Sequence, residues 1–253
     1  MIELQNLSKI YCTEFVETHA LSDVSLTVDR GEFISLSGPS GSGKTTLLNV
    51  LGLLDSFQRG TYHLEGEDLG RGTDTRLSRI RNQKIGFVFQ AFNLMPDLNV
   101  RDNVELPLRY RRMPSAKRGR AAADALERVG LAGRMKHRPG QLSGGQQQRV
   151  AIARAIAGAP PILLADEPTG NLDSARAHDI MALLEGLNDE GTTIIMVTHS
   201  PECAARASRK LHILDGKLTD LAGVSPVAED QTEAGASAAA PSFRYEPQPE
   251  RAL

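Results

Sequence analysis

The chain has 253 residues, a formal net charge of −2 at neutral pH, 40% hydrophobic residues, no tryptophan and two cysteines. That length can bury a full α/β core, the aliphatic, aromatic-poor composition fits an α/β protein better than a β-sandwich, and the near-balanced charge argues against a protein devoted to coating nucleic acid. Cys12 and Cys203 stand far apart in sequence, which offers no disulfide framework or zinc pattern and suits a reducing cytoplasm.

No apolar run approaches the roughly 18 residues that cross a bilayer. Met1-Ile2-Glu3-Leu4-Gln5 lacks the basic and apolar regions of a signal peptide. The chain is therefore expected to be soluble by itself, with any membrane supplied by another polypeptide.

Ile2 to Ser8 alternates in polarity, as do Val24, Leu26 and Val28, which predicts antiparallel strands closed by a turn at Asp29-Arg30-Gly31. Tyr11 follows the first strand and reads either as a packing residue or as a platform for a nucleotide base, base stacking being worth about 1–3 kcal/mol. Phe33-Ile34-Ser35-Leu36-Ser37 reads as a short buried strand, and Leu47, Leu48, Val50, Leu51 and Leu54 recur at helical spacing. Between them lies Gly38-Pro39-Ser40-Gly41-Ser42-Gly43-Lys44-Thr45-Thr46, which matches a phosphate-binding loop position for position. Glycine lets successive N–H groups turn inward on phosphate oxygens, and the following helix adds the positive end of its dipole. In such a loop Lys44 reaches the terminal phosphates and the Thr45 hydroxyl ligates magnesium.

Ile85-Gly86-Phe87-Val88-Phe89 is a second buried strand and ends on Gln90, whose amide oxygen can face magnesium or water. From about Arg101 to Ala157 the pattern is helical, clearest over Ala121 to Val129, and a helical block between strands is expected to pack as a subdomain on the side of the core. The block is basic, with Arg109, Arg111, Arg112, Lys117, Arg118, Arg120, Arg128, Arg134, Lys136 and Arg138 among few acids. It reads as a solvated face or as a surface held to anionic lipid headgroups, where each cation contributes about 1 kcal/mol. Within it, Leu142-Ser143-Gly144-Gly145-Gln146-Gln147-Gln148-Arg149 opens a helix that continues through Val150, Ile152, Ala153 and Ile156, a second anion-binding helix N-terminus. Two such ends for one nucleotide suggest a head-to-tail pair of chains, each covering the other's ATP.

Ile162-Leu163-Leu164-Ala165 returns to strand character and closes on Asp166-Glu167. Asp166 is placed to hold the magnesium shell, and Glu167 to face a water attacking the γ-phosphate. A helix with Ile180, Leu183, Leu184 and Leu187 on one stripe follows, then the strand Thr193-Ile194-Ile195-Met196-Val197 leading to His199. His199 is placed to donate to the γ-phosphate and to position Glu167. Ser200-Pro201-Glu202 opens a further helix, and Leu211 to Leu218 reads as a hairpin turning at Asp215-Gly216. Beyond about Ala222 the chain has little to bury, and residues 222–253 are expected to be a disordered tail.

Taken together, these motifs resemble the ATP-binding-cassette ATPases over Met1 to Leu221. Gly38 to Thr45 is similar to that family's Walker A loop, Ile162 to Glu167 to its Walker B strand and Gln90 to its Q-loop. Leu142 to Gln146 resembles the signature motif, Asn171-Leu172-Asp173 the D-loop, His199 the switch histidine and Tyr11 the adenine-stacking aromatic. The resemblance implies an α/β P-loop NTPase (RecA-like) core with an N-terminal antiparallel β subdomain and a helical subdomain inserted at about residues 91–160. It implies ATP and Mg2+ as cofactors. Lys44, Glu167 and His199 would be catalytic, and Thr45, Gln90 and Asp166 would be metal-facing. The loop from Gly38 to Thr46, together with Tyr11, Gln90, Ser143, Gly144, Gly145, Gln146 and Asp173, would be nucleotide-facing.

Phe89-Gln90-Ala91-Phe92-Asn93-Leu94, Asn103-Val104-Glu105-Leu106-Pro107-Leu108 and Ala165 to Asp173 are similar to the macrolide-export, lipoprotein-release and cell-division branch. That branch implies a homodimer on the cytoplasmic face of the membrane, driving a separate transmembrane permease in export or mechanotransmission. The alternative within it is a regulator of cell-wall remodelling that transports nothing. A soluble relative acting on nucleic acid or ribosomes usually carries two cassettes or a long coiled-coil insert, and neither is evident here.

Overall fold

The computed structural model describes residues 1–12, 17–70 and 72–221; the segment 222–253, expected above to be a disordered tail, lies outside the described residues. Strands β1 (Ile2–Cys12) and β2 (Glu17–Val28) pair antiparallel, and β3 (Phe33–Ser37) then leads into helix α1 (Lys44–Leu51). Asn6 takes a left-handed φ of 47°, and the register slips on both sides of β1 around it. Leu7, Ser8 and Lys9 are all buried past that point, where simple alternation would expose one of them. The expected turn at Asp29 to Gly31 does not join this pair; it carries the chain from β2 into β3. Strands β4 (Arg59–Leu64) and β5 (Glu67–Asp68) complete a four-stranded antiparallel sheet in the order β2-β1-β4-β5.

Helix α2 (Asp74–Lys84) leads to β6 (Ile85–Phe89), and three helices follow before the next strand: α3 (Val100–Tyr110), α4 (Ser115–Arg128) and α5 (Gly144–Ile156). The chain then runs through β7 (Ile162–Asp166), α6 (Ser174–Asp189), β8 (Thr193–Val197), α7 (Pro201–Ala205) and the hairpin β9 (Arg209–Leu214) and β10 (Lys217–Asp220). The second sheet has the order β10-β9-β3-β8-β7-β6, parallel except for its edge strand β10. Strands β3, β6, β7 and β8 are buried on both faces, which is why they read as nearly unbroken apolar runs, whereas β9 and β10 at one edge are partly exposed. Ile34, Leu36, Ile162, Leu164, Ile195 and Val197 join the core shared with the antiparallel sheet and α1. Phe33, Leu163, Ala165, Ile194 and Met196 point to the other core, with α3 to α6.

The helical block uses much of its own charge internally. Glu105, 5% exposed, receives Arg101 at 3.0 Å and Arg118 at 2.6 Å, with Arg109 at 3.8 Å, so one buried carboxylate locks α3 to α4. Arg128 pairs with Glu190, and the half-buried Arg111 donates to the Asn82 side chain at 2.9 Å and the Gly158 carbonyl at 2.7 Å. The basic stretch is thus less free than its composition suggests. Arg111, Arg112, Lys117, Arg120, Arg134, Lys136 and Arg138 form no ion pair with the described residues, and of these Arg111 and Arg134 are held by hydrogen bonds to neutral groups.

Candidate active site

The turn from β3 into α1 is shaped by sterics. Gly38 has φ +149°, and a Cβ there would lie 2.2 Å from the Ile213 carbonyl oxygen; Gly43 has φ +109°, and its Cβ would lie 2.4 Å from that of Ala20. The Gly216 N–H donates to the Ser42 carbonyl at 3.0 Å and pins the loop to the β9–β10 turn. Lys44, 7% exposed, folds its ammonium onto the carbonyls of Gly38 and Pro39 at 2.9 and 2.7 Å. The Ser42 hydroxyl is buried with no hydrogen-bond partner. An orphaned polar group of this kind costs about 1–3 kcal/mol, so its place inside a curled run of amides fits a loop built around an anion.

A cavity of about 640 Å³ opens beside the loop, lined by Lys44, Thr45, Gln90, Asp166, Glu167 and His199 among others. The topology explains the gathering. Strands β6, β7 and β8 are adjacent and parallel, and Phe89, Asp166 and Val197 share one register row at their carboxyl ends. The residues just beyond that row therefore face one crevice, where open α/β sheets place their ligands.

Burial pushes the Asp166 carboxyl up, against the opposing charges of Lys44 and His199. Burial also pushes Glu167 up, opposed by His199 and reinforced by Asp166. Glu167 stands at φ +48°, a left-handed conformation uncommon for a glutamate. Its N–H donates to the Val197 carbonyl at 2.9 Å, and its carbonyl accepts from the Gly170 N–H at 3.0 Å. One carboxylate oxygen, Oε1, is buried with no hydrogen bond, and His199 Nε2 stands 3.6 Å from it, too far to supply one. A carboxylate made more basic by burial, on the wall of a cavity, is equipped to accept a proton from water.

Among the described residues no three His, Cys, Asp or Glu side chains form a metal-binding group. Thr45, Gln90 and Asp166 on the cavity wall suit a hard cation that takes few protein oxygens and completes its shell with phosphate and water, as magnesium does.

Tyr11 is 40% exposed; its hydroxyl donates to Asp55 at 2.7 Å and the Lys9 ammonium lies 4.8 Å from the ring centroid. A ring this exposed and this tethered is oriented without being core. The Gln90 side-chain amide donates to Asn171 Oδ1 at 3.4 Å, and the Gln90 backbone carbonyl accepts from Asn171 Nδ2 at 2.9 Å.

Other expected residues stand elsewhere. Ser143 caps α5 and forms a reciprocal box with Gln146, and neither these two nor Gly144 and Gly145 line the cavity. Asp173 caps α6 through the Arg176 N–H at 3.0 Å. The lining also includes Met181, Cys203 and Arg206, which sequence reasoning missed. They carry no motif and meet only because α6 and the α7 region pack beside the crevice.

A mainly parallel sheet with a glycine-rich anion loop after its central strand, and carboxylates ending a neighbouring strand, defines a P-loop nucleotide-binding protein. The comparisons take this further: the family profile described as ABC transporter matches residues 21–170. The ABC transporter ATP-binding protein YvrO of Bacillus subtilis, itself uncharacterized, is 49% identical over 218 residues, covering 86% of this chain and 95% of that relative. The macrolide export ATP-binding/permease protein MacB of Sodalis glossinidius is 45% identical over 92% of this chain, which spans 35% of that longer protein. A dimeric, post-hydrolysis structure of the ATP-binding cassette MJ0796 bound to ADP and Pi superposes with a TM-score of 0.80 at 43% identity, covering 87% of this chain and 99% of that one. The chain belongs to the ABC transporter family, as one of its ATP-binding, ATP-hydrolysing cassettes.

Proposed function

We propose that two copies of the chain enclose two magnesium–ATP complexes head to tail, and that closing and reopening this dimer drives a separate permease of the macrolide-export type. The observation that carries the reading is the separation of two anion-binding helix ends. Lys44 and Thr45 line the cavity while Ser143, Gly144 and Gly145 do not, so a single chain leaves its phosphate site open on one side. The dimeric state of the MJ0796 cassette supports the same arrangement here.

In this reading Lys44 and the loop amides bind the phosphates, and Tyr11 stacks on the base. Thr45, Gln90 and Asp166 hold magnesium, which when bound neutralises phosphate charge. Glu167 takes a proton from the attacking water, with His199 orienting it. Ser143, Gly145 and Gln146 of the second copy cover the nucleotide, and the turn at Asp173 meets that copy at the seam.

Toward the membrane, an apolar groove of about 840 Å³ is lined by Leu54, Phe87, Phe89, Leu106 and Tyr110, with Tyr110 79% exposed. It borders the segment after Gln90, so a permease seated there senses the nucleotide site. The permease holds the cassette at the cytoplasmic face of the membrane, and the unpaired cations of the helical block face anionic headgroups. No helix among the described residues is long and apolar enough to cross a membrane.

Two measurements test the reading. The hydrolysis-deficient Glu167→Gln protein is expected to elute as a dimer with saturating ATP and as a monomer without it; a monomer under both conditions, even with its permease, overturns the proposal. Tyr11→Ala is expected to raise the half-saturating ATP concentration about tenfold with little change in turnover, matching a stacking contribution of about 1–3 kcal/mol. Tyr11→Phe, which keeps the ring, is expected to stay near the parent, and an equal rise in both variants would reject the stacking role.

A further inference from the structure

Gln148 lies in the second turn of α5, and no function assigned above uses it. It is 0% exposed among Val150, Ile152 and Ala153, positions where the helix buries apolar side chains. Its amide nitrogen donates to the Pro168 carbonyl at 2.6 Å and reaches the Phe89 carbonyl at 3.4 Å, while its own Oε1 is buried without a partner. Flipping the amide would set its oxygen against two carbonyl oxygens, so the orientation is determined by its neighbours.

The two carbonyls are informative. Phe89 and Asp166 form the last paired row of β6 and β7, so Gln148 grips the chain one residue before Gln90 and one residue after Glu167. The left-handed backbone of Glu167 is strained for a residue with a side chain and persists only where the surroundings over-determine it. Here the Val197 and Gly170 backbones hold the turn from within the core, and Gln148 holds it from the helical block. The same helix also secures the segment after Gln90, because Arg154 donates to the carbonyls of Phe92, at 2.8 Å, and Asn93.

We infer that Gln148 is a positioning residue for Glu167: through the Pro168 and Phe89 carbonyls it fixes the turn that aims the carboxylate, and ties that turn to the helix whose N-terminus meets the partner copy's nucleotide. The inference deepens the proposed function and rests on its assignment of Glu167 as the base. A side chain present only to fill space would be apolar here, since a buried amide with one unpaired atom carries a desolvation penalty. Docking of a second copy on Ser143 and Gly145 thereby presses on the helix to which the turn carrying the base is tied, so the chain's own carboxylate is set when its helix end engages.

Gln148→Met keeps the length of the side chain and removes the donor. Turnover at saturating ATP is expected to fall about tenfold to a hundredfold, the penalty of a misplaced reacting group, with the half-saturating ATP concentration and the nucleotide-free melting temperature close to those of the parent. In the Glu167→Gln background the same change is expected to leave ATP-dependent dimerisation intact. Gln148→Asn, which keeps an amide that stops one methylene short of the carbonyls, carries the same expectation should the Met variant fail to fold. Parent-like turnover in a folded variant overturns the inference, and so does a loss of turnover matched by a lower melting temperature and weaker ATP binding, the pattern of a packing residue. Glu167→Gln alone separates the two layers. If it hydrolyses ATP near the parent rate the assignment of the base has failed, whereas a silent Glu167→Gln beside a fully active Gln148→Met removes only the positioning role.

Discussion

Glu167→Gln is expected to lower ATP turnover by about 10²–10⁴-fold, the range a positioned general base contributes, while ATP still binds. The substitution removes the proton-accepting oxygen and nearly nothing else. Side-chain shape is kept, and the backbone bonds to Val197 and Gly170 do not involve the carboxylate. A second consequence separates this account from a general loss of fold. Burial raises the Glu167 carboxyl, so the folded chain holds that proton more tightly than the unfolded chain does. Stability therefore falls as pH rises from the ordinary glutamate range through the raised value, and above it the ionised group is a standing penalty. The amide has no such term. Without nucleotide or divalent cation, Glu167→Gln is expected to melt higher than the parent at neutral pH, and the difference is expected to fade below the ordinary glutamate range. Parent-level turnover, or a variant that melts lower at neutral pH, would contradict the role or the burial that underlies it.

Much of this site is legible in the sequence because its physics is local. The loop from Gly38 to Thr46 needs glycine at positions that the Ile213 and Ala20 carbonyls crowd, so composition and geometry speak together. The strands ending at Phe89, Asp166 and Val197 are buried on both faces and appear as apolar runs, and the polar residue after each run is where the crevice must be. The unread parts lack such a signature. Strand β4 exposes its first three residues, and Gly60 fits within it only because it has no Cβ to strike the backbone of β1. Helix α2 buries Ile80 alone, which leaves no apolar stripe to detect. Glu105 looks like an ordinary surface acid on α3 until the folding of α4 brings Arg118 against it. Gln148 is hidden for a related reason: in a run of three glutamines nothing marks the one that turns inward, and only the packing of α5 against two strand ends selects it.

The largest effect expected of a residue outside the cavity is at Gly145. A Cβ there would meet the Arg176 side chain, Cδ at 3.0 Å, which is flexible and can yield. An aspartate in the first turn of α5 is also favoured by the helix dipole and by the nearby guanidinium. Gly145→Asp should therefore fold and melt at least as high as the parent and bind ATP through its own Lys44 loop. In the dimer the new carboxylate stands between the retained backbone N–H and the partner's phosphates. Blocking one such donor is expected to cost about 10²–10³-fold in turnover, and like-charge repulsion adds to it. Gly145→Ala, with no charge, is expected to lose less. The decisive form of the experiment uses two silent proteins. A mixed dimer of Gly145→Asp and Glu167→Gln chains holds one damaged site with both lesions and one site with neither, because the helix end over each nucleotide comes from the other chain. Mixing the two is expected to restore a fraction of parent turnover that neither shows alone. If each site were complete within one chain, no mixture could recover activity, and a flat titration of one variant into the other would refute the shared site.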